Sequence, residues 1–264
     1  EKQFKNNAYF TVGYNFTDAQ DASSIDAEIS SDAFERNPAF GNVNQEQLAP
    51  SLYGTRHRWF GAAYKTFEYG NWATTLSTFF QYAEGGTTAS DFTSDYRFSY
   101  TYSGDINGDG SRINDLIYIP TDEELDAQNF DGDDGGQLQR EAFRDFIEQD
   151  PYMKDHRGEY MEKYAILAPW YSQWDFRLLQ DYKFMIGERT QRIQFSLDIL
   201  NIGNLINSNW GVKQLPVNTQ PIGVSVDGDG VPTYSFDTDL KNTFSNDFSL
   251  DSRWQARLGL RYIF

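Results

Sequence analysis

The chain has 264 residues, no Cys, a net charge of −17 and an apolar fraction of 39%. The lack of Cys excludes a disulfide framework, a thiol nucleophile and a Cys-ligated metal, and the acidic balance excludes nucleic acid as a partner, because phosphate binding needs a basic surface. No stretch approaches the roughly 18 consecutive apolar residues of a transmembrane helix, so a spanning role requires a closed barrel of strands.

An aromatic share of 17%, with 17 Tyr and 21 Phe, suits a membrane interface or a sugar-stacking surface. Mean hydropathy is −0.65, which a barrel tolerates because every second strand position faces a polar lumen. Glu1-Lys2-Gln3 leads directly into a strand with neither initiator Met nor signal peptide, so the numbering is expected to begin inside a longer chain.

Period-2 alternation predicts six strands, at residues 8–17, 55–67, 71–83, 170–185, 190–203 and 253–264. Each is long enough to cross a bilayer, which takes about 9–11 tilted residues. The first sets Ala8, Phe10, Val12, Tyr14 and Phe16 against Thr11, Gly13 and Asn15. The second groups Phe60, Ala62 and Tyr64 against Gly61 and Lys65. In the third, Trp72, Leu76, Phe80 and Tyr82 oppose Ala73, Thr75, Ser77 and Gln81. The fourth opposes Trp174, Phe176, Leu178, Tyr182 and Phe184 to Gln173, Asp175, Arg177, Asp181 and Lys183. The fifth alternates Ile193, Phe195, Leu197 and Ile199 with Arg192, Gln194, Ser196 and Asp198. The sixth alternates Trp254, Leu258, Leu260, Tyr262 and Phe264, facing lipid, with Arg257, Gly259 and Arg261, facing the lumen.

Alternation alone does not separate a soluble sandwich from a barrel; the connections do. Tight turns at residues 68–70 and 186–189 alternate with long segments at 18–54, 85–168 and 204–251. Short turns on one side and long loops on the other follow the rule of bacterial outer-membrane barrels, and soluble β domains rarely carry three such loops without structure of their own. The three loops hold 7, 19 and 6 of the 39 acidic residues but only 1, 7 and 2 of the 22 basic ones, so the acid lies on one side. Six strands are too few to enclose a polar lumen, so partner strands are expected outside this sequence. Counting back through six crossings places Glu1 on the short-turn, periplasmic side.

The final residues fit polar-x-Gly-x-x-aromatic-x-aromatic through Arg257, Gly259, Tyr262 and Phe264, which resembles the C-terminal signal read by the outer-membrane barrel assembly machinery. Two internal stretches narrow the family. Residues Asn114 to Pro120, and the run from Pro169 and Trp170 through Asp175-Phe176-Arg177 and Gln180-Asp181 to Phe195–Asn204, resemble the C-terminal barrel of TonB-dependent receptors, most nearly the Oar-like branch that carries a carboxypeptidase-regulatory-like domain. The resemblance covers nearly the whole chain.

It implies an all-β transmembrane antiparallel barrel of 22 strands, of which this chain supplies about the last six, in the bacterial outer membrane. It also implies substrate binding by outer loops and import with energy from TonB. Implied partners are outer-membrane lipid, the chain's own N-terminal barrel and plug, the TonB complex through that plug, the assembly machinery and a surface lipoprotein. A structural or adhesive barrel without energised transport, and a soluble sugar-binding sandwich, are the competing expectations.

Asp105, Asn107 and Asp109 occupy positions 1, 3 and 5 of an EF-hand-like start with Gly110 at 6, and Asp115 adjoins position 12, which is Leu116. The loop is a candidate Ca²⁺ site beside its reading as an unliganded acidic turn. Residues 131–136 and 227–230 are expected to be flexible tips, and 137–149 a short helix ended by Asp150-Pro151. The Trp residues mostly lie near strand ends, as headgroup-level rings do. Asp175, Arg177, Asp181, Arg192, Asp198, Arg257 and Arg261 are expected to form lumen ion pairs or plug contacts. His57 and His156 sit in no nucleophile or metal motif, and no catalysis is expected.

Overall fold

A computed structural model describes residues 1–24, 27–45, 47–53, 55–85, 89–90, 93–94 and 97–264. The chain is mainly β, and among the described residues no helix is long and apolar enough to cross a membrane. The alternating segments become neighbouring strands of one antiparallel sheet in chain order: β1 (Lys2–Phe4), β2 (Ala8–Phe16), β3 (His57–Tyr69), β4 (Trp72–Ala83), β5 (Tyr171–Ile186), β6 (Arg189–Leu200) and β7 (Gln255–Ile263). The sheet is open, with β1 and β7 at its two margins, and the described strands close no barrel.

β1 is a seventh strand, too short for alternation to reveal. It hairpins onto β2 with Lys2 beside Phe10 and Phe4 beside Ala8, and Asn7 turns the chain at φ 57°. The turn end of the sheet is therefore occupied by Asn6 and Asn7, and Glu1 lies further up the sheet than the six-crossing count places it. The two predicted hairpins tighten to Gly70-Asn71 and Gly187-Glu188, with Gly70 at φ 60° and Gly187 at φ 63°. Gly at the first loop position is what a two-residue hairpin turn requires. β6 ends at Leu200, three residues before its predicted limit, because Asn201 adopts φ 51° and opens a helix at Ile202–Ile206. Trp254 stays outside β7, its N–H donating to Asn204 Oδ1 at 3.3 Å.

Register corrects the second strand. Tyr14 faces Trp59 and Trp59 faces Tyr82, whereas Phe60 faces Gly13 and Tyr64 faces Tyr9. Phe60, Ala62 and Tyr64 thus share the face of Gly13 and Thr11, while Trp59, Gly61, Ala63 and Lys65 join the ring-rich face. Two glycines make this possible. A Cβ on Gly13 would lie 2.6 Å from the Phe60 ring, and one on Gly61 would collide with Phe80, so each aromatic ring lies flat over a cross-strand glycine.

The long connections are not structureless. Phe98, Tyr100, Tyr102, Ile117 and Ile119 from the second pack with Phe143, Phe146 and Ile147 of its helix and with Ile222, Val224, Tyr234 and Phe236 of the third. These residues form the buried core of the molecule, and it lies off the sheet. Ile222–Val226 pairs with Pro232–Phe236 and, in parallel, with Tyr102–Ser103. The first long loop is tied in by Ala39, whose N–H donates to Asn114 O at 2.9 Å and whose carbonyl accepts from Leu116 N at 3.0 Å. Buried Lys163 adds a bond to Ala22 O at 3.0 Å and one to Asn37; its burial pushes the ammonium below its usual pKa.

Candidate functional site

One face of the seven-stranded sheet is mainly apolar and uncovered. Because opposed residues in an antiparallel pair point the same way, Leu76, Leu178, Leu197 and Leu258 form one cross-strand row, which Lys65 joins beside Leu76 with its ammonium donating to Asn6 O at the turn end. Leu258 is 70% exposed, Leu260 78% and Phe264 85%.

Aromatic rings bound this face at both ends. At the loop end Tyr14 lies 4.7 Å from Trp59 and Tyr82 4.7 Å from Trp170, with Phe80 and Trp174 at 5.9 Å. At the turn end Trp72 lies 4.6 Å from Tyr182, Tyr182 5.9 Å from Phe184, and Tyr262 5.8 Å from Phe264. Tyr82 and Trp72 are ten residues apart on β4. At about 3.3 Å per residue that is about 33 Å along the strand, and about 25 Å in height at a tilt near 40°.

The opposite face carries Phe60, Tyr64 and Phe79 on β3 and β4 but is mainly polar and internally bonded toward β7. Arg177 and Arg257 flank Asp198 in direct register, Arg177 hydrogen-bonding one carboxylate oxygen and Arg257 Nε lying 3.4 Å from the other. Asp181 accepts from Gln194 at 2.9 Å and pairs with Arg192 at 3.8 Å. Asp175 accepts from Gln173 at 3.3 Å and from the Asn201 N–H at 2.9 Å, and Gln173 continues through Gln81 to Arg58. Arg261 shares this face beside Gln194 but makes none of these ion pairs. The seven charges expected on one face are on one face; five of them are ion-paired, and Asp175 is hydrogen-bonded to neutral groups.

Residues 105–115 form a tightly wrapped turn. Asp105 accepts the backbone N–H groups of Gly108, Asp109 and Gly110 at 2.6, 3.2 and 2.9 Å. Asp115 accepts from Ile106 N at 3.1 Å and from the Asn107 amide at 2.5 Å. Burial, reinforced by the charges of Asp109 and Asp105, raises the Asp115 pKa. Asn107 thus directs its amide nitrogen, not its oxygen, toward Asp115, and among the described residues no group of three or more Asp, Glu, His or Cys could hold a metal ion. Asp105, Asn107, Asp109 and Asp115 are brought together as the bonded frame of a turn.

The predicted helix is present at Gln137–Gln149. Two expected loop tips have structural work instead. Asp134 accepts from Leu138 N at 2.8 Å and Gly136 N at 3.0 Å at the start of that helix, and the Leu138 bond in particular holds its carboxyl below the usual range. Asp227 closes the hairpin between Ile222–Val226 and Pro232–Phe236, accepting from Asp229 N and Val231 N at 2.9 Å. The missed signal was there: alternating Ile222, Val224, Val226 and Pro232, Tyr234, Phe236 flank Asp-Gly steps, a hairpin pattern. His57 Nδ1 lies 2.7 Å from Tyr14 Oη, and His156 stacks on Tyr152 at 4.0 Å; they are not near each other in any bonded network.

A feature that spacing did not reveal sits where β6 ends. Asn201 donates to Gly211 O at 2.9 Å, and Asn204 donates to Ser208 O and Trp210 O at 3.0 Å. Together they fold the chain back and frame a pocket of about 360 Å³ beside Trp174. Comparison with protein-family profiles, curated proteins and solved structures finds no match for this chain.

Proposed function

We propose that this chain is the closing portion of an outer-membrane transport barrel of the TonB-dependent receptor type, completed by further strands and a plug outside this sequence. The observation that carries the proposal is the open apolar face, bounded by aromatic rows about 25 Å apart in height, opposite a bonded polar face on the same strands. An uncovered face of this width is stable in hydrocarbon and a liability in water. The polar face then lines a lumen, where Arg58, Arg177, Arg192, Arg257 and Arg261 meet a plug or a passing solute.

On this reading the short turns lie in the periplasm and the three long connections form a folded cap outside the cell. That cap presents a fixed surface to a substrate, since its second and third loops share one core and the first is hydrogen-bonded to the second. Energised import, and the 22-strand total, rest on the resemblance of the terminal and internal stretches described above.

The test uses the full-length protein. It should be recovered in the outer-membrane fraction, migrate faster on gels unheated than boiled, and support uptake that stops on loss of TonB. An intact barrel with uptake or adhesion indifferent to TonB leaves the structural or adhesive reading in place; a monodisperse, detergent-free protein sinks both.

A further inference from the structure

The pocket at the end of β6 opens on the apolar face, and its lining combines two rings and two aliphatic side chains with two polar groups. Trp174, Ile202, Ile206 and Trp210 contribute walls, Ser172 a hydroxyl and Asn201 a buried amide. Its volume of about 360 Å³ lies at the small end of the roughly 300–1,000 Å³ typical of ligand sites.

Asn201 is only 2% exposed. Its amide nitrogen is committed to Gly211 O, yet its Oδ1 has no hydrogen-bond partner. A buried acceptor left without a donor is disfavoured, and native structures seldom keep one. The Gly211 Cα lies against this oxygen, so closely that any Cβ there would overlap it, and both residues line the pocket.

The lining contains no ionisable residue, so the missing donor is neutral, an amide N–H or a hydroxyl. Apart from Asn201 and the Ser172 hydroxyl the lining is apolar, and it is continuous with the sheet face that carries Trp174 and Phe80. Leu205 and Ile206 of the adjoining helix are also exposed, which extends the apolar surface around the opening.

We infer that this pocket holds the acyl chain of an outer-leaflet amphiphile that carries an amide N–H or hydroxyl near its head, with that group donating to Asn201 Oδ1. The inference rests on the proposed membrane reading, which puts the pocket at the level of the outer aromatic row. There an acyl chain enters from the side, and its first polar group meets Asn201 near the headgroup boundary.

The test uses full-length protein in phosphatidylcholine vesicles with two tail-diazirine probes, a methoxyethyl fatty amide and the matching methoxyethyl fatty ester, which differ only in the N–H. The amide should photolabel the segment 202–211 about tenfold more than the ester, one neutral hydrogen bond's worth of discrimination. Gly203→Leu, at a position where a Cβ meets nothing nearer than Trp210 Cβ at 3.7 Å, should fill the pocket. It should cut that labelling about tenfold while leaving background labelling of Leu258 and Leu260 unchanged.

Equal labelling by the two probes, even labelling over the whole apolar face, or no effect of Gly203→Leu overturns the inference, as does an unlabelled segment already covered by another part of the protein. Protease protection in the vesicles reports insertion separately. Failure to insert defeats the membrane reading and this inference together, whereas insertion without selective labelling defeats this inference alone.

Discussion

Leu258→Arg puts the membrane reading at risk in a single position. Leu258 lies on β7 four residues from Trp254 and four from Tyr262, so it sits midway between the two aromatic rows, about 13 Å along the strand from each. It faces outward beside Leu197 and is 70% exposed. If the surrounding medium is hydrocarbon, an arginine there costs about 2–4 kcal/mol, as charges at the bilayer midplane do in outer-membrane barrels. If the medium is water, replacing an exposed leucine by arginine changes stability by no more than about 0.5 kcal/mol. The assay is equilibrium urea unfolding of the full-length protein in vesicles, followed by tryptophan fluorescence. Ser77→Glu serves as the control, because Ser77 faces Arg177 across the polar side of the sheet and should be nearly silent. A Leu258→Arg variant that unfolds at the wild-type denaturant concentration would falsify the assignment of this face to lipid.

Asp198→Ala should lower stability by about 1.5–3 kcal/mol, since it strips both Arg177 and Arg257 of their shared carboxylate; an unchanged unfolding midpoint would show that the polar ladder contributes nothing. Gly13→Ala should cost about 1–3 kcal/mol by forcing its methyl into the Phe60 ring, and Gly13→Ala with Phe60→Leu should recover most of the loss in thermal unfolding. Asp134 has a depressed folded pKa, so its ionised form stabilises the start of the Gln137–Gln149 helix above the ordinary carboxylate value of 3.8, and that contribution disappears as pH falls through the lower folded value. Amide protection factors in the first turn should drop on acidification in the wild type; the same acid profile in Asp134→Asn would assign the loss to another group.

Period-2 alternation located six strands within one to three residues, because in an antiparallel sheet the two faces meet different media and the pattern of side chains must follow the pleat. It also placed Asp175, Arg177, Asp181, Arg192, Asp198, Arg257 and Arg261 on one face. Three things needed the folded chain. Alternation gives two faces without saying how strands align, so only register moved Phe60 and Tyr64 away from Trp59, and only the opposed glycines made room for their rings. The core of the long connections joins residues more than a hundred positions apart, such as Phe98 and Phe236, and local periodicity carries no signal of that pairing. Asn201 reads in sequence as one more strand residue; its left-handed backbone, its bond to Gly211 and its unpartnered oxygen are decided by where β6 meets the returning loop. Strand positions and face chemistry were therefore local consequences of composition, while the pocket and the cap depend on contacts that only the tertiary structure brings together.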